Sequence, residues 1–183
     1  MSHEATLSIH AHPACVRRQH GLTLLELMIV LIMVSILAAL AGPSFTGSIN
    51  RSQVNGMRDG LASAFQFARS EALKRKGPVT ACSSADQATC SGNWQNGWII
   101  FSDVDGDGAL DGGEQILQVK YGEDGLNAYA SAANAVTFSS IGRAVAGDGS
   151  YGFCHPHQNT VGKSLTVTVT GALNRSKEVL TGC

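Results

Sequence analysis

Residues 21–42 read GLTLLELMIVLIMVSILAALAG, and this stretch determines how the rest of the chain is organised. The run is apolar except for one acid, Glu26, near its start. A helix of roughly 20 apolar residues is long enough to cross a bilayer, whereas a carboxylate inside it costs roughly 2.5–3.5 kcal/mol. We therefore expect a transmembrane helix over residues 22–42, in which Glu26 awaits a partner of opposite charge.

The charges on either side of this run indicate its orientation. Arg17 and Arg18 precede it, and no further basic residue occurs until Arg51. Positive charge next to a membrane helix stays on the cytoplasmic side. We therefore expect residues 1–20 in the cytoplasm and the chain beyond the run in the periplasm.

Cleavage after Gly21 would give Glu26 such a partner. The new amino group on Leu22 would lie four residues from Glu26, about one helical turn away. Within one helix the amine is poorly placed to meet this carboxylate, whereas the amine of a neighbouring copy, staggered along the helix axis, is well placed. The spacing therefore predicts assembly with other chains, because assembly neutralises both charges.

This segment resembles the processing motif of type IV prepilins, in which Gly precedes Phe, Thr and, as the fifth mature residue, Glu. Gly21, Thr23 and Glu26 match it, and Leu22 stands where Phe is usual. The resemblance implies that a prepilin peptidase removes residues 1–21 as a leader and N-methylates Leu22. It also implies that Thr23 and Glu26 serve filament assembly.

Two ordinary export signals are alternatives. Residues 39–41 read ALA, which fits the AxA cleavage site of a Sec signal peptide, and Arg17 with Arg18 resembles a twin-arginine pair. The apolar run, however, exceeds the roughly 7–15 residues of a signal peptide and contains an acid. A mature chain that begins at Gly42 would favour the signal peptide.

An amphipathic helix is predicted over residues 43–76. Apolar residues recur there at three- and four-residue steps and form one stripe. They are Phe45, Ile49, Met57, Leu61, Phe65, Ala68 and Ala72. Pro43 matches the helix-kinking proline of many pilins. Cations at 74–76 suit the negative end of the helix dipole, and Gly77 with Pro78 ends the helix.

Residues 77–183 are predicted to form a β-rich periplasmic domain. Short segments rich in β-branched and aromatic residues are separated by Gly, Asn, Asp and Ser. They span 79–82, 97–101, 114–120, 135–140, 151–154 and 164–170. Leu165, Val167 and Val169 alternate with threonines, so that one sheet face packs inward. The predicted class is α+β: a long N-terminal helix packed on an antiparallel sheet, as in pilins.

A second segment indicates which group of pilins the chain resembles. It covers residues 94–117 and reads WQNGWIIFSDVDGDGALDGGEQIL. They are similar to the GspH/FimT group of minor pilins and pseudopilins, in which a GW(I/V)(I/V)F strand leads into an acidic loop and a second strand. The resemblance implies a minor pilin of the type IV pilus. The equivalent subunit of a type II secretion pseudopilus is the alternative.

Four cysteines lie outside the leader: Cys82, Cys90, Cys154 and Cys183. Four cysteines allow three connectivities, and an oxidising periplasm favours disulfides. We expect pairs Cys82–Cys90 and Cys154–Cys183, both structural.

The acidic loop has the spacing of a calcium-binding EF-hand loop. Asp103, Asp105, Asp107 and Glu114 fit DxDxDG followed by five residues and Glu. Strand-like sequences flank the loop where an EF-hand has helices, and Asp and Gly are also common in turns. Calcium is therefore only a candidate ligand, and no other cofactor is expected. A membrane-anchored calcium-binding module outside any filament is a further alternative.

DNA binding is a second candidate activity, because some relatives in this group act in DNA uptake through a basic GRxR-like motif. In this chain the corresponding segment, TGALNRSK at residues 170–177, contains only two basic residues, Arg175 and Lys177. Arg143 is a third candidate, outside the motif. From residue 77 onward, five basic residues face ten acidic ones. Because phosphate contacts dominate nonspecific affinity, we expect weak DNA binding at best.

Catalysis is not expected. Cys154, His155 and His157 lie close together in sequence, but Pro156 between the histidines favours a turn or edge. No third ligand or base accompanies them. The expected partners are other pilins or pseudopilins, the prepilin peptidase and the inner membrane, and the expected final location is a pilus or pseudopilus.

Overall fold

The computed structural model describes residues 21–122, 127–130, 134–155 and 162–178. Two compact units divide the chain, with the boundary between Gly42 and Pro43. A single helix, α1, extends over Leu24–Arg75. The helix predicted over residues 22–76 is therefore confirmed to within two residues at each end.

The C-terminal end of α1 differs in detail from the expected glycine stop. Lys76, and not Gly77, has the left-handed backbone conformation, with φ of 56°. The amide of Gly77 donates to the carbonyl of Ala72 at 3.3 Å, which is the long-range bond of a Schellman motif. Pro78 comes directly after it and cannot continue the helix.

The remaining described chain is β structure. In the described ranges the strands are β1 Val79–Ser83, β2 Gly97–Ser102, β3 Ile116–Tyr121, β4 Asn127–Ala130, β5 Ala135–Phe138, β6 Ala144–Ala146, β7 Gly149–Cys154, β8 Gly162–Val167 and β9 Leu173–Glu178. A 3₁₀ turn, Trp94–Asn96, precedes β2. All six predicted strand segments are confirmed, whereas β4, β6 and β9 were not predicted.

These strands form two antiparallel sheets where the sequence suggested one. In the described chain, a five-stranded sheet has the order β3-β2-β1-β5-β6, and a four-stranded sheet has the order β4-β7-β8-β9. The register of β1 places Thr80 opposite Phe101 of β2 and Thr137 of β5. The predicted α+β class, with a long helix packed on antiparallel strands, is confirmed.

The second half of α1 packs against both sheets in one core. Its contributors from α1 include Met57, Leu61, Phe65, Ala68 and Ala72. The sheets contribute Val79, Ile100, Val136, Phe138, Tyr151, Phe153, Leu165 and Val167, among others. The predicted helix stripe is therefore confirmed from Met57 onward.

Aromatic rings hold the middle of this core together. The ring of Phe65 lies 5.5 Å from that of Trp94 and 5.3 Å from that of Tyr151, centroid to centroid. Trp94 and Tyr151 are 5.7 Å apart in an edge-to-face arrangement, the geometry that aromatic quadrupoles prefer. The phenol of Tyr151 donates to the carbonyl of Gly147 at 2.5 Å. These rings join the helix to both the 3₁₀ turn and the second sheet.

Two predicted core positions are exposed. Ile49 is 44% exposed and Val169 is 47% exposed. Val169 lies beyond the end of β8, in the turn that leads to β9, so the alternation that buries Leu165 and Val167 no longer applies to it. The inward-facing prediction for Val169 was wrong, because a turn interrupts the period of two.

None of the helices in the described ranges is both long enough and apolar enough to span a membrane. The membrane interpretation of residues 22–42 stays a prediction.

Candidate assembly site

The beginning of α1 is capped by Thr23. Its hydroxyl oxygen accepts a hydrogen bond from the backbone amide of Glu26 at 3.2 Å. The carbonyl of Thr23 accepts from the amide of Leu27 at 3.1 Å, so Thr23 is the N-cap. Threonine satisfies helix amides that otherwise lack a partner. The T-x-x-E pattern is the sequence signature of a capping box, so this cap could have been predicted from the sequence, although it was not.

Glu26 therefore occupies the first turn of α1. The positive end of the helix dipole favours an acid at this position. The cap and the acid lie next to each other because both belong to the same four-residue motif. The structure thus places Thr23 and Glu26 together, with Thr23 fixing the backbone from which Glu26 projects.

A sleeve of exposed apolar side chains surrounds the next turns of α1. Between residues 22 and 37, exposure of the large hydrophobic side chains runs from 46% at Ile29 to 79% at Leu24. These side chains belong to Leu22, Leu24, Leu25, Leu27, Met28, Ile29, Val30, Leu31, Ile32, Met33, Val34, Ile36 and Leu37. The hydroxyl of Ser35 donates back to the carbonyl of Ile32 at 2.8 Å and adds no free donor. Apolar surface of this extent marks a lipid or protein contact.

The disulfide prediction is confirmed for one pair. Cys82 and Cys90 are bonded, with their Cα atoms 5.6 Å apart. Cys154 is buried and also disulfide-bonded. Its predicted partner Cys183 lies outside the described residues, as does His157.

Asp86 organises the loop that the Cys82–Cys90 bond closes. Its carboxylate accepts hydrogen bonds from the hydroxyl of Thr89 at 2.7 Å and from the amides of Ala88 and Thr89 at 3.0 and 2.9 Å. The hydroxyl of Ser84 donates as well, at 3.1 Å. The Thr89 hydroxyl foremost, and then these amides, hold the pKa of Asp86 well below its usual range.

The acidic loop connects β2 to β3 and brings its carboxylates together in two groups. In the described chain, Asp103, Asp105 and Glu114 form one group and Asp105, Asp107 and Asp111 the other, each with carboxylate oxygens within 4.8 Å of one another. Both groups contain oxygen ligands alone, which suits a hard cation such as calcium. The structure therefore brings all four predicted calcium residues into one neighbourhood.

Asp103 also has an internal role that the sequence did not indicate. It is fully buried, and its carboxylate accepts from the hydroxyl of Thr80 at 2.6 Å. It accepts further from the amides of Gly106 at 2.7 Å and Gly108 at 3.1 Å. Glu114 similarly accepts from the amides of Val104 at 2.6 Å and Asp111 at 3.1 Å. Hydrogen bonds from backbone amides to the carboxylates of Asp103 and Glu114 therefore hold the loop in its conformation.

The predicted DNA-binding residues occupy different environments. The Arg175 Nε lies 3.3 Å from Asp59 Oδ1, in an ion pair between β9 and α1. Arg143 is exposed in the turn before β6. Lys177 belongs to β9, but its side chain lies outside the described part of the chain.

Arg69 of α1 links the two sheets, a role that no local pattern in the sequence indicated. Its Nε donates to the carbonyl of Gly142 at 2.8 Å, and Nη2 approaches the carbonyl of Thr170 at 3.4 Å. Gly142 lies in the turn between β5 and β6, and Thr170 lies between β8 and β9. A single guanidinium therefore holds one turn from each sheet.

Comparison with known proteins agrees with this architecture. The family described as Type II transport protein GspH matches residues 59–172. The prokaryotic N-terminal methylation motif matches residues 16–42, which include Gly21, Leu22 and Glu26. A comparison with curated proteins found no match.

Two crystal forms of the type IV minor pilin FimU of Pseudomonas aeruginosa share the fold. One has a TM-score of 0.52 at 19% identity, over 69% of this chain and 90% of that chain. The other has a TM-score of 0.50 at 19% identity, over 67% of this chain and 91% of that chain. The GspH match extends over well over half of the sequence, and together with the methylation motif it shows that the chain belongs to the GspH family of type IV pilins and pseudopilins.

Proposed function

We propose that this protein is a minor pilin of the type IV pilus, cleaved after Gly21 and N-methylated on Leu22. The inner membrane holds the apolar sleeve, the β domain projects into the periplasm, and the chain then joins the filament or its tip. Its work is structural and not catalytic. The observation that carries the proposal is the apolar sleeve with a single acid, Glu26, in its first turn.

The sleeve supports assembly because its side chains are exposed on all sides of the helix. Burying apolar surface is worth roughly 25 cal/mol per Å², so lipid or neighbouring pilin helices would cover it favourably. Burying the Glu26 carboxylate in the same surroundings is unfavourable unless a cation pairs with it. The methylated amine on Leu22 of an adjacent subunit is such a cation, and the Thr23 hydroxyl accepts from the backbone amide of Glu26, which anchors the backbone that carries this carboxylate.

Glu26→Ala tests this role in the full-length protein. We expect normal leader cleavage and membrane retention, but strongly reduced incorporation into filaments, because the subunit amine then has no carboxylate to meet. Ser35→Ala is the matched control, since Ser35 lies in the same sleeve and its hydroxyl donates to the carbonyl of Ile32 in its own helix. Incorporation that is unchanged by Glu26→Ala would contradict the assembly role. Intact mass of the mature chain checks processing: a chain starting at Gly42 would contradict cleavage after Gly21.

A type II secretion pseudopilin is the alternative within the same family, and the GspH description supports it. Both candidates use the same sleeve, so the discriminating experiment is a pull-down. The major pilin should co-purify with a minor pilin, whereas secretion pseudopilins should co-purify with the alternative.

Calcium binding and DNA uptake stay predictions attached to this function. A calcium-binding anchor outside any filament requires that Glu26→Ala leave function unchanged, so the same variant distinguishes that class. DNA binding has less support, because Arg175 is already paired with Asp59.

A further inference from the structure

A depression beside the turn between β5 and β6 has walls of exposed apolar side chains. Ile141, Val145 and Val169 line it, and they are 69%, 62% and 47% exposed. Its volume is about 490 Å³, which is enough for several side chains. In the described chain β6 is an edge strand, so no further strand covers Val145. Adjacent exposed apolar side chains of this kind indicate a surface that binds another protein.

The charges around the depression favour an acidic ligand. Arg143 and Asp148 both line it and both are exposed. Among the described residues, no carboxylate forms an ion pair with the Arg143 guanidinium. Arg69 of α1 contacts the same turn, but it donates to the neutral carbonyls of Gly142 and Thr170 and keeps its charge. Two cations therefore stand against one anion at this surface.

The acidic loop between β2 and β3 carries the complementary groups. Val104 in this loop is 75% exposed. Asp105, Asp107 and Asp111 are exposed as well, and their carboxylate oxygens lie within 4.8 Å of one another. Like charges at this distance repel, and an approaching cation relieves the repulsion. The loop therefore combines an exposed apolar side chain with carboxylates that favour a guanidinium.

The loop and the depression lie at the same end of the five-stranded sheet. Val79, the first residue of β1, is paired with Ser102 of β2 and with Phe138 of β5. The acidic loop begins directly after Ser102, and the turn between β5 and β6 begins directly after Phe138. Strands β2 and β5 lie on opposite sides of β1. Copies placed side by side in the same orientation therefore hold the loop of one level with the depression of the next.

We propose that the depression binds the acidic loop of a second copy of this protein. Val104 of one copy packs against Ile141, Val145 and Val169 of the next, and the loop carboxylates pair with Arg143. The contact is head-to-tail, because the loop and the depression are different surfaces, so it can repeat from copy to copy. It goes beyond the proposed assembly role, because it uses neither Glu26 nor the apolar sleeve.

A photoreactive p-benzoylphenylalanine at position 145 tests the contact in the full-length protein in detergent micelles. The unlabelled variant is mixed with ¹⁵N-labelled protein that lacks the crosslinker, and the mixture is irradiated. We expect mass spectrometry to show an adduct between the unlabelled peptide with position 145 and the labelled peptide of residues 103–114. The same crosslinker at position 104 should reach residues 139–148 of the other copy. No adduct between copies from either position, or adducts to other segments only, would overturn the proposal.

Charge reversal identifies the pairing. Arg143→Glu in the copy with the crosslinker should lower the yield of the loop adduct about tenfold, which equals about 1.4 kcal/mol, because like charges then face each other. Asp105→Lys/Asp107→Lys in the labelled copy should lower it similarly. Mixing these two variants should restore the adduct, since opposite charges face each other again. Failure to restore it while both variants keep the circular dichroism of the folded protein would overturn the proposal.

Two further variants keep the test decisive should a reversal variant not fold. Asp148→Asn removes a like charge from the depression and should raise the yield about twofold, the range of an exposed charge pair. An unchanged yield would contradict the proposal. Arg51→Glu is the matched control, because Arg51 is an exposed arginine on α1 outside the depression. If Arg51→Glu lowers the yield as much as Arg143→Glu, net charge and not this contact is responsible, and the proposal fails.

Glu26→Ala separates this contact from the proposed assembly role. The adduct should persist in Glu26→Ala, even where incorporation into filaments is lost. Loss of the adduct in that variant would contradict an independent docking surface. Sodium chloride should lower the yield, because salt screens exposed charges. A yield that does not respond to salt would contradict the pairing of Arg143 with the loop.

Discussion

Arg175 of β9 is paired with Asp59 of α1, with 3.3 Å between Arg175 Nε and Asp59 Oδ1. The same carboxylate oxygen also accepts from Arg58 Nη2 at 2.9 Å. The side chains of Arg175 and Asp59 are 41% and 51% exposed. An exposed pair of this kind contributes only about 0–1 kcal/mol. The ion pair therefore matters less for stability than for charge, because it neutralises Arg175, which the sequence made a candidate DNA-binding residue.

Asp59→Asn should release Arg175 and raise affinity for DNA. We expect a gain of roughly twofold to tenfold at low salt, since neutralising one phosphate is a modest part of nonspecific affinity. A gel shift at low salt measures it, with the double variant Asp59→Asn/Arg175→Ala as control. If the double variant retains the gain, Arg175 is not its source.

Asp103→Ala should destabilise the β domain. The substitution removes the acceptor of Thr80 and of two loop amides from a fully buried position. Hydrogen bonds to a charged group contribute about 1.5–3 kcal/mol, so we expect the free energy of unfolding to fall by about 3 kcal/mol. Denaturant titration measures this change. Asp105→Ala is the control, because exposed Asp105 accepts only from the amide of Asp107, at 3.3 Å, among the hydrogen bonds described for it.

The same variants test calcium at the acidic loop. If calcium binds, it should raise the thermal midpoint of the wild type by mass action, and Asp105→Ala should reduce that increase without lowering the calcium-free midpoint. Calorimetric titration gives an independent measurement. No heat at millimolar calcium would remove the calcium hypothesis while leaving the structural role of Asp103 intact.

Stability should decline in acid, in part through Glu71. Hydrogen bonds from Arg75 at 2.9 Å and Lys74 at 3.2 Å hold the pKa of Glu71 below its ordinary value. A carboxyl whose pKa is lower in the folded state contributes stability above the unfolded pKa, about 4.3 for Glu, and loses it as pH falls through the folded value. Unfolding measured at stepwise lower pH should therefore show a shallower acid decline in Glu71→Gln. Asp86, whose pKa is also lowered, should maintain part of the decline. An identical acid decline in Glu71→Gln would contradict this assignment.

Removing the Cys82–Cys90 bond should destabilise the domain by about 2–3 kcal/mol, the loop-entropy value for a short closed loop. The pair closes a loop with a sequence separation of 8. Cys82→Ala/Cys90→Ala compared with the wild type in denaturant gives the change. The variant should also lose order around Asp86, whose hydrogen bonds lie inside this loop. Unchanged stability would mean that the loop is held by those hydrogen bonds alone.

Local patterns predicted most of the secondary structure. Apolar spacing located α1 to within two residues at each end, and alternation correctly buried Leu165 and Val167. The pattern failed at Val169, where the turn between β8 and β9 ends the alternation. Strand β9 was missed for a related reason: LNRSKE is polar at an edge of its sheet and carries no apolar alternation.

The candidate sites likewise include some that local sequence predicted and some that it did not. Gly21, Leu22, Thr23 and Glu26 are close together in sequence, so the spacing of Leu22 and Glu26 predicted assembly, and the resemblance of the whole segment to prepilins implied processing. The pairing of Cys82 with Cys90 was also predictable, because a short loop brings the two together. The Arg69 bridge was not predictable, because its parts come from distant segments.

By itself, the sequence determined the long helix, its apolar first half, the acid in that half and the β-rich character of the chain beyond the helix. Each of these depends on contacts within a few residues, which periodicity and spacing record. Only the tertiary structure decided that the strands form two sheets, that Arg175 meets Asp59, and that Arg69 contacts one turn from each sheet. Those outcomes depend on which surfaces pack together over long sequence separations, and no local pattern encodes that choice.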